Sequence, residues 1–442
     1  MEPLNRATSD IVDSKPIRVL QFGGGNFLRG FFNWMVDVLN EEAGFEGDVL
    51  LIKPTAGGRY EQLMDQDGLF HTILQDYSGE DIRLIKCIQE VIHPYREWHK
   101  FLDTASLPLC RFMVSNTTES GIAYQYEELD LSKPPNSFPA KLTIWLYQRF
   151  KEFKGDPTKG MIMLPTELVE NNAGNLRYCV LLHAKDWNLG NDFKTWIEEC
   201  NYFCNTLVDR IVSGFPKNNV DKIQQALGFN DQQLTVGEYY HQWVIEDHHD
   251  IQKELPFCKT NLNVQFVEDL GPYRDIKVRV LNGAHTALVP IGMQADLTTV
   301  YEVMTDPHLG KFIKELIHHE IVPTFTDPLI DAKNFADETV TRFENPYINH
   351  QLQSISVNAL KKFQVRLIPT IVLYLKQFEI YPRRIMFCWA ALLHASSEDA
   401  NDLSILKDWD LMGLEEAQVV QQLQLDLQNI HSEGIRKALE MI

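Results

Sequence analysis

The chain has 442 residues, enough for two domains, with 44% hydrophobic and 23% charged residues. Its 61 acids against 41 bases give a formal charge of −20, which argues against a nucleic-acid partner but leaves room for a local pair of cations that holds a small anion. Seven scattered cysteines without a CxxC, no apolar signal-like segment at the N-terminus and no window near about 18 apolar residues point to a cytoplasmic protein with reduced thiols and no membrane span.

Residues 17–22 (IRVLQF) are a short apolar run ending in glycines, and residues 27–40 then show helical spacing. Strand, glycine-rich turn and helix open a dinucleotide-binding unit. Further strands are expected at 48–53, 111–115 and 161–164, and helices at 139–153 and 192–212. This alternation predicts a mostly parallel sheet covered by helices. Two later apolar runs, 242–246 (QWVIE) and 263–267 (NVQFV), read as additions to the same sheet. After about residue 275 the pattern changes. Residues 276–290, 295–305, 309–320, 353–377, 382–395 and 414–441 carry helical spacing with few strand signals between them. The expectation is an α/β chain, with a Rossmann-type N-terminal domain over residues 1–270 and an all-helical domain over 271–442.

The turn after the first strand reads Gly23-Gly24-Gly25-Asn26-Phe27-Leu28-Arg29-Gly30. Gly23 and Gly25 fit the first two positions of GxGxxG, which permit a tight turn and a close backbone approach to a pyrophosphate at a helix N-terminus. The third position is Leu28, with Gly30 two residues on, so a glycine-rich turn without a ligand stays open. The second strand ends in Lys53-Pro54-Thr55 where an acidic residue usually meets the ribose 2′-hydroxyl. That leaves NAD against NADP open, with Lys53 and Arg59 available to a 2′-phosphate.

In YRDIKVRVLNGAHTALV (273–289), Lys277, Asn282 and His285 are spaced five and then three apart. On a helix these positions lie within about 140° of arc, an arc that one wide cleft could span. A lysine serves as general acid or base only if burial or a neighbouring cation brings its pKa toward neutrality. Asn282 offers an amide donor to an oxygen that gains charge, and His285 is placed to orient the lysine amine. The plainer alternative is a surface lysine, a capping asparagine and a core histidine. The pairs His248-His249 and His318-His319 lack the HExxH spacing of a metal site, and Cys200 and Cys204 read as a buried small apolar pair.

QFGGGNFLRGF (21–31), DQDGLF (65–70), VSNTTESG (114–121), PTELVENNAGN (165–175), FCNTLVDRI (203–211), QWVIED (242–247), KVRVLNGAH (277–285) and RFENPYINH (342–350) stand in the order found in the polyol-specific long-chain dehydrogenases. The chain resembles that mannitol dehydrogenase family through most of its length. The resemblance implies a metal-independent, NAD-dependent oxidoreductase with its site in the cleft between a Rossmann-type and a helical domain. It implies Lys277 as the acid/base, with Asn282 and an asparagine of the ENN segment, Asn172 in preference to Asn171, as the oxyanion pocket. His285 would hold the lysine or a substrate hydroxyl, and Asp209 would lie near either. Gly23, Gly25, Asn26, Phe27, Arg29 and Ser115 are the expected cofactor contacts.

Within the family, the segments 20–42 and 354–370 look closest to the tagaturonate-reducing branch, which implies a small sugar-acid substrate. Its carboxylate needs a cation, for which Arg342, Lys361 and Lys362 are candidates. Reductases of fructuronate, dehydrogenases of mannitol or its 1-phosphate, and a sensor that binds nucleotide and sugar acid without chemistry are the alternatives. The oligomeric state stays open.

Overall fold

Six apolar runs of the N-terminal half pair side by side as one parallel sheet: β1 (Ile17–Phe22), β2 (Asp48–Ile52), β3 (Ile88–Ile92), β4 (Phe112–Ser115), β5 (Ile162–Pro165) and β6 (Tyr202–Phe203). They stand in the order β3-β2-β1-β4-β5-β6 in the computed structural model, which describes residues 1–442 except 12, 13, 58, 59, 119, 218, 329, 397–402, 404, 405, 407 and 408. The chain divides into two units, Met1–Leu270 and Gly271–Ile442.

Successive side chains of a strand point to opposite faces, and both faces of this sheet are covered. Val19, Val49, Leu51, Phe112, Val114 and Leu164 pack on one side against α1 (residues 26–43). Leu20, Phe22, Leu50, Ile52, Met113 and Met163 pack on the other against α2 (Phe138–Glu152), α3 (Asn172–Asp186) and α4 (Asn191–Cys200). Burial on both faces explains why β2, β4 and β5 read as continuous apolar runs without alternation. The strand order reverses between β1 and β4, and such a switch point opens a crevice at the carboxyl ends of the strands.

Three details differ from the sequence reading. The runs at 242–246 and 263–267 do not join the parallel sheet. Gln242–Glu246 is the centre of a separate three-stranded sheet, flanked by Thr206–Asp209 and Val264–Val267. The helix expected over 192–212 stops at Cys200 because Asn201 intervenes. Its amide donates to the Trp196 carbonyl at 2.9 Å, while its side-chain oxygen accepts from Met161 N–H at 2.9 Å. The chain then runs on as strands. Finally, a hairpin, Phe70–Asp76 with Gly79–Ile85, joins Thr235–Gly237 and Val212–Gly214 in a four-stranded sheet. The strand Gly79–Ile85 is mostly exposed and polar, which hides it from an apolar-run search.

The second unit has no strand among its described residues beyond one isolated bridge between Thr299 and Gln351. Its axis is α5 (residues 271–294), whose part from Gly283 to Gly292 is buried all round, as a helix at the centre of a domain must be. Around it stand α6 (Ala332–Phe343), α7 (Ala359–Arg366) and α8 (Arg383–Ser396). The polar helix α6 was not evident from spacing, and the expected helix over 353–377 is broken at Asn358, which has a positive φ of 57°. Glu320 has a structural task. Its carboxylate accepts the backbone N–H groups of Arg384 at 2.8 Å and Ile385 at 2.9 Å, capping the first turn of α8. Among the described residues no helix is long and apolar enough to cross a membrane. Replacing Glu320 by Ala should therefore lower stability by about 1–3 kcal/mol in denaturant melts; an unchanged midpoint would contradict the capping role.

Candidate active site

The turn between β1 and α1 is built around glycine. Gly23 has φ +104°, a conformation that L side chains rarely adopt, and a Cβ there would lie 2.7 Å from the Asn116 carbonyl oxygen. At Gly25, the N-cap of α1, an added Cβ would meet no protein atom within 4 Å. Gly30 lies against the four-stranded sheet, where a Cβ would come within 2.9 Å of Val212 Cγ1 and 3.2 Å of Thr235 Cγ2. Close helix packing, the task of the third glycine in GxGxxG, thus falls to Gly30, and the departure at Leu28 is a two-residue shift.

A cavity of about 420 Å³ opens at this turn, walled by Gly23, Gly25, Thr55, Tyr60, Asn116 and Thr117 among others. No carboxylate lines it among the described residues. The free space at Gly25, the start of a long helical run and the cavity beside them fit the phosphates and sugar of a dinucleotide. Lys53 is only 1% exposed; its amine donates to His93 Nε2 at 3.1 Å and to the Ala56 carbonyl at 3.4 Å. Arg59 lies outside the described residues.

Two expected cofactor contacts do other work. The Arg29 guanidinium is buried and donates to the Gly24 carbonyl, Asn26 Oδ1 and Thr235 Oγ1 at 2.6, 2.6 and 3.1 Å. Burial lowers its pKa to about 10, still fully charged at neutral pH. Arg29 braces the turn from behind. Ser115 is fully buried and donates to Glu167 at 3.0 Å, and the same carboxylate accepts Thr117 N–H at 2.9 Å. Glu167 thereby ties the ends of β4 and β5 together. Asn26 is exposed, and Phe27 is half-buried and stacks on Phe31 at 4.9 Å.

Asn172 is also corrected. Its amide nitrogen donates to the carbonyls of Pro165, Glu167 and Thr206 at 3.0, 3.1 and 3.0 Å, and its oxygen accepts from Ala173 and Thr206 N–H at 2.9 and 3.1 Å. The amide has no N–H left for an oxyanion; it fastens the loop after β5 to the strand Thr206–Asp209. Asn171, exposed and with φ +52°, is the neighbour whose side chain is turned outward. Asp209 ends that strand as a buried carboxylate.

In the helical unit, Lys277 to Asn282 forms a π turn within α5. A π turn closes its hydrogen bonds i→i+5, so residues five apart come onto one face. Lys277 is buried, Asn282 is half-buried, and the Asn282 amide makes no hydrogen bond to any described residue. The Asn282 carbonyl accepts from Thr286 Oγ1 at 2.8 Å and from Arg366 Nη1 at 3.4 Å.

His285 is buried, stacks on Phe343 at 4.1 Å and meets His350 edge-on at 4.9 Å, and its Nε2 has no hydrogen-bond partner. It forms no hydrogen bond with Lys277, so the structure does not give it the task of holding the lysine amine. Burial holds the imidazole well below its usual range, reinforced by the charges of His350, Arg342, Arg366 and Lys362, and the ring is neutral. Arg342 is buried near the end of α6, whereas Lys361 is exposed. His350 and Arg366 were not singled out in the sequence. The one lies in the quoted RFENPYINH motif, the other in a stretch whose charges look like an ordinary helix face.

Residues 17–259 match the family model described as mannitol dehydrogenase Rossmann domain, and residues 269–442 match the mannitol dehydrogenase C-terminal domain. The chain is 43% identical over 398 residues to the altronate oxidoreductase of Bacillus subtilis (strain 168), spanning 89% of this chain and 82% of that one. It is 42% identical over 383 residues to the altronate oxidoreductase of Escherichia coli O6:K15:H31 (strain 536 / UPEC), spanning 86% and 79%. Among solved structures, D-sorbitol dehydrogenase in its substrate-free form shares 20% identity at a TM-score of 0.83, covering 99% of this chain and 100% of that one. The Pseudomonas fluorescens mannitol 2-dehydrogenase ternary complex with NAD and D-mannitol shares 19% identity at a TM-score of 0.73, covering 100% and 99%. At these identities the two structures bear on the fold alone, a Rossmann-type domain followed by a helical one.

Two outcomes are expected of the site's scaffold. Asn172→Ala strands several buried main-chain groups and should destabilise the fold by at least about 3 kcal/mol, measured by chemical denaturation; a cost near zero would return Asn172 to the oxyanion role. His285 titrates lower in the fold than when unfolded, so its contribution is complete above the ordinary imidazole range and is lost as pH falls through it. His285→Asn should therefore lose less stability than the parent between about pH 7 and pH 5, and parallel pH slopes in the two melts would contradict that.

Proposed function

We propose that this chain, which belongs to the mannitol dehydrogenase family, is an NAD-linked oxidoreductase that interconverts a keto sugar acid and its hydroxy acid, tagaturonate and altronate. The observation that carries this reading is the π turn that sets buried Lys277 and the uncommitted amide of Asn282 on one face of α5. Identity above 40% to altronate oxidoreductases from separate organisms supports the choice of substrate.

Gly23, Gly25 and the first amides of α1 would hold the pyrophosphate, with the cavity beside Tyr60 taking the adenosine half. Asn26 and Phe27, at the exposed start of the helix, are the further contacts proposed there. A nicotinamide cofactor held there would supply the hydride chemistry that links alcohol and ketone. The work of the chain is to manage the proton and the charge on oxygen. In reduction, Lys277 Nζ delivers a proton to the carbonyl oxygen while Asn282 Nδ2 donates a hydrogen bond to it as negative charge grows. In oxidation, neutral Lys277 takes the hydroxyl proton. Neutral His285 offers its unpartnered Nε2 to a substrate hydroxyl, Asp209 is proposed to bind another, and buried Arg342 adds positive charge beside them.

NADH oxidation with tagaturonate, fructuronate, fructose and fructose 6-phosphate in parallel tests the assignment. Rapid turnover with tagaturonate and at most slow turnover with the others is expected; preference for another ketose would overturn the substrate. Lys277→Ala should lower kcat by about 10³-fold while NADH titrations stay unchanged. Near-parental turnover in that variant would remove the lysine from the mechanism.

A further inference from the structure

Helix α7 places two cations beside the π turn. Lys362 and Arg366 are four residues apart and so share one face of the helix. Arg366 Nη1 donates to Thr286 Oγ1 at 3.1 Å and to the Asn282 carbonyl at 3.4 Å, and Lys362 Nζ donates to the Ile355 carbonyl at 2.8 Å. Gly283 permits the approach, because a Cβ there would stand 3.2 Å from Leu367 Cδ2. The positive charges of Lys362 and Arg366 act on the His285 imidazole, as does that of Arg342.

This concentration of positive charge stands in a chain of formal charge −20. Beside it, His285 Nε2 and His350 Nδ1 are buried without a hydrogen-bond partner. Buried polar atoms are normally satisfied, and an orphan beside a functional group calls for a missing ligand atom. A guanidinium with an ammonium one turn away is a natural receptor for a planar carboxylate. A neutral sugar would gain little from either charge.

We propose that Lys362 and Arg366 form the pair that reads the substrate's carboxylate and selects sugar acids over neutral ketoses, an inference that rests on the keto-acid reduction proposed above. Lys361, one residue away but exposed, takes no part.

The test is the steady-state reduction of tagaturonate and fructuronate by NADH in Arg366→Gln, Lys362→Gln and Arg366→Lys. Losing a charged hydrogen bond to the carboxylate should raise KM by about 10- to 100-fold in each glutamine variant. The kcat should stay within about threefold and NADH affinity should be unchanged, while Arg366→Lys keeps the charge and recovers part of the loss. A fall in kcat with KM unmoved in Arg366→Gln would make Arg366 only a prop for Asn282 and overturn the pair. Unchanged KM in both glutamine variants would also overturn it, and Lys362→Gln decides the matter should Arg366→Gln fail to fold. A parent enzyme that reduces fructuronate and not tagaturonate would defeat the substrate assignment and leave the pair standing. A parent that reduces fructose as well as either acid would defeat the pair.

Discussion

Five residues along an unbroken α-helix turn the side chain about 140° past a full circle, so Lys277 and Asn282 would diverge in regular geometry. The π turn over Lys277–Asn282 removes that divergence. Everything proposed for the helical unit depends on this: a proton donor and a hydrogen-bond donor must serve the same substrate oxygen. The turn is supported by its surroundings. Thr286 and Arg366 donate to the Asn282 carbonyl, and Gly283 leaves room for α7 to come close enough to supply that arginine.

In the first unit the comparable constraint is the glycine turn, and it too is held from behind. Arg29 grips the Gly24 carbonyl and Thr235, Gly30 lets α1 lie against Val212, and Glu167 ties the ends of β4 and β5. These polar groups are buried and mutually satisfied, so they fix the loops without presenting chemistry of their own. Preorganisation of this kind lets a site bind charged groups without reordering its own dipoles.

Much of this was legible in the sequence where the signal is local. The apolar run, the glycines and the helical spacing after them locate β1, the turn and α1, and the lysine, asparagine and histidine segment locates the helix α5 for which the chemistry is proposed. What local spacing does not carry is which polar group is already spent. Asn172 looks like an oxyanion donor until carbonyls at 165, 167 and 206 are seen to consume its amide. Arg29 and Ser115 sit in motifs that suggest ligand contact, yet their partners are buried protein groups, some distant in sequence. An apolar run identifies Gln242–Glu246 as a strand without saying which sheet it joins. Lys361 and Lys362 are indistinguishable by composition, and only the helix phase leaves one exposed while the other, half-buried, donates to the Ile355 carbonyl.

The central claim is that the Asn282 amide stabilises the oxygen to which Lys277 delivers its proton. Single-turnover stopped-flow of NADH oxidation by tagaturonate in Asn282→Ala measures this most directly. The account predicts a hydride-transfer rate lower by about 10²- to 10³-fold, with substrate affinity little changed. A rate equal to the parent's, in a folded variant that binds NADH normally, would contradict it.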